Sequence, residues 1–368
     1  MNSVGIIRCN SYDEKEVVEA FNRASAPFDR KKIKGKKVAV YFDFPSPDTA
    51  ILKEVIDFLK ENGAKDIKVG ASLFTTGLPK NIDNLLKKEN VQFVDFRNSS
   101  YERLDVPRRD AKAPDHFKGY AFLSPVSYAE QRQINKLGVK AKRILKYSFL
   151  PTTLTDADYI VPVIKMKDSP VTKIGGAIAS TLSLVPTVTR NQVFINKFKF
   201  QFWDTLLEIY SPIKDKILFG VIDGVNAIIS NDENINRMNV ILFSEDPLAL
   251  DSVTAVLMGY RSREVGSNKK GDDMGLGSGL FIHVAMYGDN FLEFRKETKK
   301  YLRYRTGKAI RKVIPSINSV DDSIIDRVSN FCPTGAIVKE NGSYKIDRTK
   351  CISCFFCVQL APDIFKIK

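Results

Sequence analysis

Histidine is almost absent from this chain: His116 and His283 are the only two among 368 residues. A multi-histidine metal site or a histidine-centred triad is therefore not expected. His283 lies in the apolar run GLFIHVAMYG and reads as a satisfied core residue. No run of 18 or more apolar residues occurs, so no transmembrane helix is expected. The opening MNSVGIIRCNSYDEKE has neither the basic start nor the long apolar stretch of a secretory leader, which predicts a cytoplasmic protein. No good nicotinamide or flavin fingerprint is present. GLGSG at 275–279 is rich in glycine, but it follows no clear strand and carries no P-loop lysine. Cysteine is scarce as well, and four of the five fall in the last 37 residues. A disulfide framework would be spread over the fold; clustered thiols in a reducing compartment more often bind metal. Cys9 stands apart and reads as an ordinary buried thiol.

What is present bounds the rest. The chain is long enough for two or three domains, and 43% apolar residues suffice for a sizeable core. The formal net charge is +14. That balance favours anionic partners, although a lysine-rich surface with no specific target gives the same number.

The cysteines carry the sharpest signal. KCISCFFC places Cys351, Cys354 and Cys357 at C-x-x-C-x-x-C. A cubane cluster needs a fourth thiolate, and the position four residues on, before Pro362, holds Ala361. Upstream, Cys332 is followed by Pro333. In two-cluster ferredoxins the cysteine before the proline ligates the cluster of the other run, so Cys332 is the predicted fourth ligand. A shift of 29 residues carries 322, 325 and 328 onto 351, 354 and 357, and 332–333 onto 361–362. The first half keeps only its Cys-Pro, and the second keeps only its three thiols. One 4Fe–4S cluster is the expected cofactor, held by Cys332, Cys351, Cys354 and Cys357. A four-cysteine zinc site is the alternative, but zinc ribbons pair two separate C-x-x-C knuckles. Between the halves, AIVKENGSYKID reads as a hairpin turning at Asn341–Gly342. Residues 323–368 thus resemble a bacterial-type ferredoxin domain reduced to one cluster.

The first part of the chain alternates strand and helix patterns. VGIIRC, KKVAVYFDF and VQFVDF read as strands; 13–25 reads as a helix, and 48–70 as a helix ending near Gly63 that leads into another strand. This β-α-β-α-β order predicts an α/β fold with a largely parallel, helix-flanked sheet. Further strands are expected at 143–150, 157–165, 216–225 and 238–244, and helices at about 173–184, 198–210 and 246–260. Asp246–Pro247 reads as an N-cap followed by a first-turn proline. The expected division is an α/β domain over 1–295, a basic linker or helix over 296–322, and a small α+β ferredoxin-like domain over 323–368.

GVIDGV, MNVILFSEDPLALDSVTAVLMGY and MGLGSG, with ILKEVIDFLKENGAKDIKVG and DADYIVPVIKMK, resemble in order the family catalogued as domain of unknown function 362. The resemblance spans roughly 4–295. It implies an α/β fold and a reductase of unsettled activity. The family's Lys-Pro-Asn after the second strand is here Tyr41–Phe42–Asp43, its Gly-Asp-Ser is Gly70–Ala71–Ser72, and its Lys-x-Lys-Thr-His is Lys165–Met166–Lys167–Asp168–Ser169. The lysines remain and the histidine is lost.

Three residues are candidates for catalysis. Asp223, with Gly224, closes an apolar strand, where ligands bind in open α/β sheets; Asp-Gly is equally a favoured turn pair. Lys165 and Lys167 alternate around Met166, share a face, and could bind a phosphate or carboxylate. Asp251 reads as a buried capping or pairing carboxylate. The segment 295–312 holds nine basic residues and one acid, and reads as a solvated basic helix or a contact for a polyanion. The reading that follows is an iron–sulfur oxidoreductase or electron-transfer component with a redox partner protein and a small anionic substrate. The alternative is a non-enzymatic binding protein with a structural or carrier cluster that contacts nucleic acid or another polyanion, nucleic acid being the less favoured partner.

Overall fold

The computed structural model describes residues 3–72, 78–106, 145, 147–169, 171–186, 202–228, 236–302, 314–318, 321–330, 332, 334–351, 357, 361 and 363–366. Its first body is an α/β fold built on one sheet. The strands in chain order are β1 (Ser3–Arg8), β2 (Lys37–Tyr41), β3 (Asp66–Ala71), β4 (Gln92–Asp95), β5 (Tyr101–Asp105), β6 (Tyr147–Pro151), β7 (Tyr159–Ser169), β8 (Lys173–Ile174), β9 (Gly220–Ile228), β10 (Asn236–Ser244) and β11 (Ala285–Gly288). The sheet order is β11-β1-β10-β9-β7-β2-β3-β4, with β8 beside β7 and with β5–β6 forming a separate antiparallel pair. Among the described strands of the main sheet, only β10 and β8 run against the rest. Sequence order therefore misleads about neighbours: β1 does not pair with β2 but lies between β10 and β11.

Alternation along the strands builds two cores. Val38 and Val40 of β2, Val161 and Val163 of β7, and Val221 and Val225 of β9 face one layer. That layer is covered by α1 (Glu14–Ala24), α2 (Thr49–Glu61) and α3 (Lys80–Lys88). Ala39, Tyr41, Ile160, Ile164 and Ile222 face the other, under α4 (Phe202–Tyr210) and α5 (Pro247–Leu257). Strands buried on both faces become continuous apolar runs, which is why β7 and β9 were legible as strands. The helices start where acids cap them. Asp13 accepts from Lys15 N and Glu16 N, Asp48 from Ala50 N, and Asp246 from Leu248 N, with Pro247 in the first turn.

Three expectations change. The helix expected over 173–184 is β8 followed by two single turns, Ala177–Ser180 and Thr181–Ser183. Lys173 at φ 68° and the Gly175–Gly176 pair break any helical run there. His283 is not a core residue: it is exposed, with Nδ1 3.0 Å from Asp272 Oδ1. The short strand β11 begins only after it, so its side of the apolar run faces solvent. Helix α6 (Gly266–Asp273) precedes this region, and α7 (Phe291–Leu302) carries the α/β core past residue 295. Phe294 is fully buried there, and the Thr298 hydroxyl bonds Leu257 O. Part of the basic stretch thus belongs to the helix α7, while 303–313 lie outside the described residues. So does His116.

The C-terminal module has its own small core. Its elements are β12 (Ser316–Ile317), α8 (Asp322–Asn330), β13 (Ile337–Glu340), β14 (Ser343–Ile346) and β15 (Phe365–Lys366). β13 and β14 form the expected hairpin, turning through Asn341 and Gly342 at φ 50° and 79°, the left-handed pair that a two-residue hairpin turn requires. The 29-residue shift holds in the topology. It carries β12 onto the end of β14, and Ile337 of β13 onto Lys366 of β15. β12 pairs with β15, and β14 pairs with β13. Each half thus pairs its first strand with the other half's second, the exchange expected of a duplicated unit.

Candidate functional site

Because the strands of the main sheet other than β8 and β10 run one way, their carboxyl ends share one edge. β2, β3 and β4 progress in one direction, whereas β7 and β9 lie on the other side of β2. The direction reverses between β2 and β7, and crevices at such reversals are where open α/β sheets bind ligands. Three sequence candidates and three residues not foreseen meet there.

Lys165 and Asp223 are opposite in the register of β7 and β9. Lys165 Nζ lies 2.8 Å from Asp223 Oδ2, and both side chains are buried. Tyr12, in the loop after β1, completes the group. Its hydroxyl donates to Asp223 Oδ1 at 2.9 Å and accepts from Lys165 Nζ at 2.5 Å and from Asn226 N at 3.1 Å. Asp223 also accepts the Asp48 N–H at 2.9 Å. Burial, reinforced by the Asp223 charge, pushes the Tyr12 phenol far above its ordinary pKa, so it is a proton donor held to a carboxylate. The turn role of Asp223–Gly224 does not hold, since β9 runs on to Ile228. Glycine is required at 224 for another reason: an added Cβ would stand 2.9 Å from Val240 O and 2.7 Å from Val240 Cγ1.

Lys167 makes a second pair. Its ammonium donates to Asp43 Oδ2 and to Phe44 O, each at 2.7 Å. The β7–β9 register slips between Lys165 and Lys167, so Lys167 leaves the row shared with Asp223 and turns toward the end of β2. Burial raises the Asp43 pKa against the opposing pull of Lys167. Asp43 Oδ1 is buried and has no partner among the described residues. Both candidate lysines are therefore already neutralised by carboxylates of the chain, and an anion entering here competes with Asp223 and Asp43.

A third carboxylate lies beneath. Asp251 of α5 accepts Ala177 N at 2.6 Å and Ile178 N at 3.0 Å, so of the capping and pairing roles expected of it the capping one is observed. Gly176 presses on this carboxylate so closely that a Cβ would lie 2.2 Å from Oδ1. Gly175 packs on the Lys167 stem and donates its N–H to Lys167 O at 2.8 Å. Burial pushes the Asp251 carboxyl up to about 7, the two capping N–H groups pulling the other way. The glycine-rich loop at 275–279 is explained by packing. Ser278 N donates to Asp246 Oδ2 at 2.7 Å, and a Cβ at Gly277 would strike that carboxylate. Cys9 is fully buried, as expected, and burial pushes its thiol up to about 12.

In the C-terminal module, Cys332 and Cys357 pack against one apolar cluster formed by Ile325, Val328, Ile337, Ala361, Ile364 and Phe365. Cys351 is buried, and its N–H donates to Asp347 O at 2.9 Å. Cys332 Sγ accepts the Ala336 N–H at 3.2 Å, a bond of the kind that stabilises a ligating thiolate. Cys354 lies outside the described residues, and among those described no group of three or more His, Cys, Asp or Glu is placed to hold a metal ion.

Residues 120–256 match the family described as Domain of unknown function (DUF362). The match covers Lys165, Lys167 and Asp223 but not Tyr12, Asp43 or the cysteines, and it is narrower than the span of the sequence motifs. Among solved structures, the lactate racemase apoprotein from Thermoanaerobacterium thermosaccharolyticum is similar, with a TM-score of 0.42 and 13% identity over 67% of this chain. This chain spans 55% of that protein's length. Among curated proteins no relative matches.

The sequence pointed to Asp223, Lys165 and Lys167 but missed Tyr12, Asp43 and Asp48. Asp43 lies two residues past the end of β2, a signal available from strand ends alone, and Asp48 is the N-cap of α2. Tyr12 carried no signal, because β1 reaches this edge only through pairing with β10.

Proposed function

We propose that this chain is an iron–sulfur protein in which one 4Fe–4S cluster, held by Cys332, Cys351, Cys354 and Cys357, passes single electrons to or from the carboxyl-edge site of the α/β domain. The cysteine spacing carries this reading. The 29-residue duplication makes Cys332 the complement of the later run, and the reciprocal strand pairing supports that duplication. The donor set fits the group: soft thiolates, one already bonded by a backbone N–H, beside an apolar wall. When bound, the cluster supplies one-electron chemistry. At the α/β edge, Tyr12 holds a proton against Asp223, and Lys165 and Lys167 offer positive charge to an acceptor that gains electrons. An acidic redox protein is the partner that a +14 chain fits best.

A second reading keeps the cluster but removes the catalysis. It is favoured by the internal neutralisation of both lysines. An electron paramagnetic resonance redox titration of anaerobically purified full chain, with iron, sulfide and zinc analysis, separates the two. A reversible one-electron signal with about four irons per chain is expected. A cluster that cannot be cycled without loss favours the second reading, and zinc in place of iron defeats both.

A further inference from the structure

The repeat assigns a second set of ligand positions as well. A companion cluster would draw on 322, 325 and 328 from the first half and on 361 from the second. Those positions hold Asp322, Ile325, Val328 and Ala361. Ile325, Val328 and Ala361 are 1%, 6% and 7% exposed and lie in the same apolar cluster, together with Ile337, Ile364 and Phe365. Residues distant in sequence thus meet where the duplication would place one cubane. The first run lies within the helix α8, where Ile325 and Val328, three residues apart, share a face.

We propose that the first half-motif is an erased cluster site rebuilt as an apolar core, and that this half is a metal-independent template that fixes Cys332 for the remaining site. What the template serves rests on the proposed function; its folding does not. Small metal-binding modules are commonly unfolded without their metal, because the ligated ion is the core. Here the core is made of side chains. Cys332 is fixed from both directions by contacts that need no metal: its N–H donates to Ser329 O at 3.0 Å, and its C=O accepts Gly335 N at 3.1 Å. The hairpin beyond it closes through Asp347 N to Ala336 O at 2.7 Å.

The test uses the full chain. Iron is stripped anaerobically with a chelator under reducing conditions, and backbone hydrogen exchange over 316–346 is compared by mass spectrometry in loaded and stripped protein. The amides of α8, β13 and β14 should exchange within about threefold of their loaded rates, and added iron and sulfide should restore the loaded spectrum. Loss of protection by about a hundredfold or more on stripping would overturn the proposal. The double variant Ile325→Ala/Val328→Ala should lose that protection even when iron is supplied; if it keeps it, the apolar core is not what holds this half and the proposal fails. A chain that purifies without iron would sink the cluster reading, yet its protection over 316–346 would still decide the template.

Discussion

Breaking the Lys165–Asp223 pair from one side strands a charge in the sheet. Asp223→Ala should cost about 3–5 kcal/mol, because the buried Lys165 ammonium would lose its counter-charge and the Tyr12 hydroxyl its acceptor. Lys165→Met/Asp223→Leu should recover most of that loss in urea denaturation. If the double variant folds normally but electrons no longer leave the proposed cluster for an added acceptor, while they do in the wild type, the pair belongs to the reaction and not to the scaffold. Asp251 makes a different prediction. Its folded pKa of about 7 lies above the unfolded value near 3.9. The folded state therefore binds the proton more tightly. The stability so gained is fully present below about pH 4 and is lost as pH rises through about 7. The wild type should lose on the order of 4 kcal/mol over that interval relative to Asp251→Asn. Equal pH slopes for the two proteins would refute the assignment.

Elements are joined across the sheet by close backbone contact. The turn at 176–180 connects α5 to β7 because two adjacent glycines let Asp251 and the Lys167 stem approach from opposite sides. Gly176→Ala should displace that turn and cost about 1–3 kcal/mol, read as a lowered thermal midpoint. An unchanged midpoint would mean that the turn is slack. The same elements show how far the sequence could be read. β2, β7 and β9 were legible because burial on both faces makes continuous apolar runs, and α1 and α5 because their capping acids stand before periodic segments. The expectation of a helix at 173–184 failed because local propensity is overridden by Lys173 in the left-handed region and by the Gly–Gly approach, both consequences of packing.

At the scale of the whole molecule, a net charge of +14 sets long-range attraction for an acidic partner. If the chain holds the proposed cluster, its reduction by an acidic ferredoxin should slow roughly tenfold between about 50 and 500 mM salt as the field is screened. A rate indifferent to salt would place the docking face elsewhere than on the basic surface. Among the described residues no helix is long and apolar enough to cross a membrane.

The sequence alone determined the fold class, the hairpin turning at Asn341–Gly342, and the strand-borne positions of Lys165, Lys167 and Asp223, because periodicity, spacing and turn chemistry are local properties of the chain. Tertiary structure decided which charges meet. Tyr12 reaches Asp223 only because β1 crosses the sheet to pair with β10, and Lys167 finds Asp43 only because β7 inserts beside β2 and its register slips after Lys165. Strand order and register are set by long-range packing, and no local pattern encodes them.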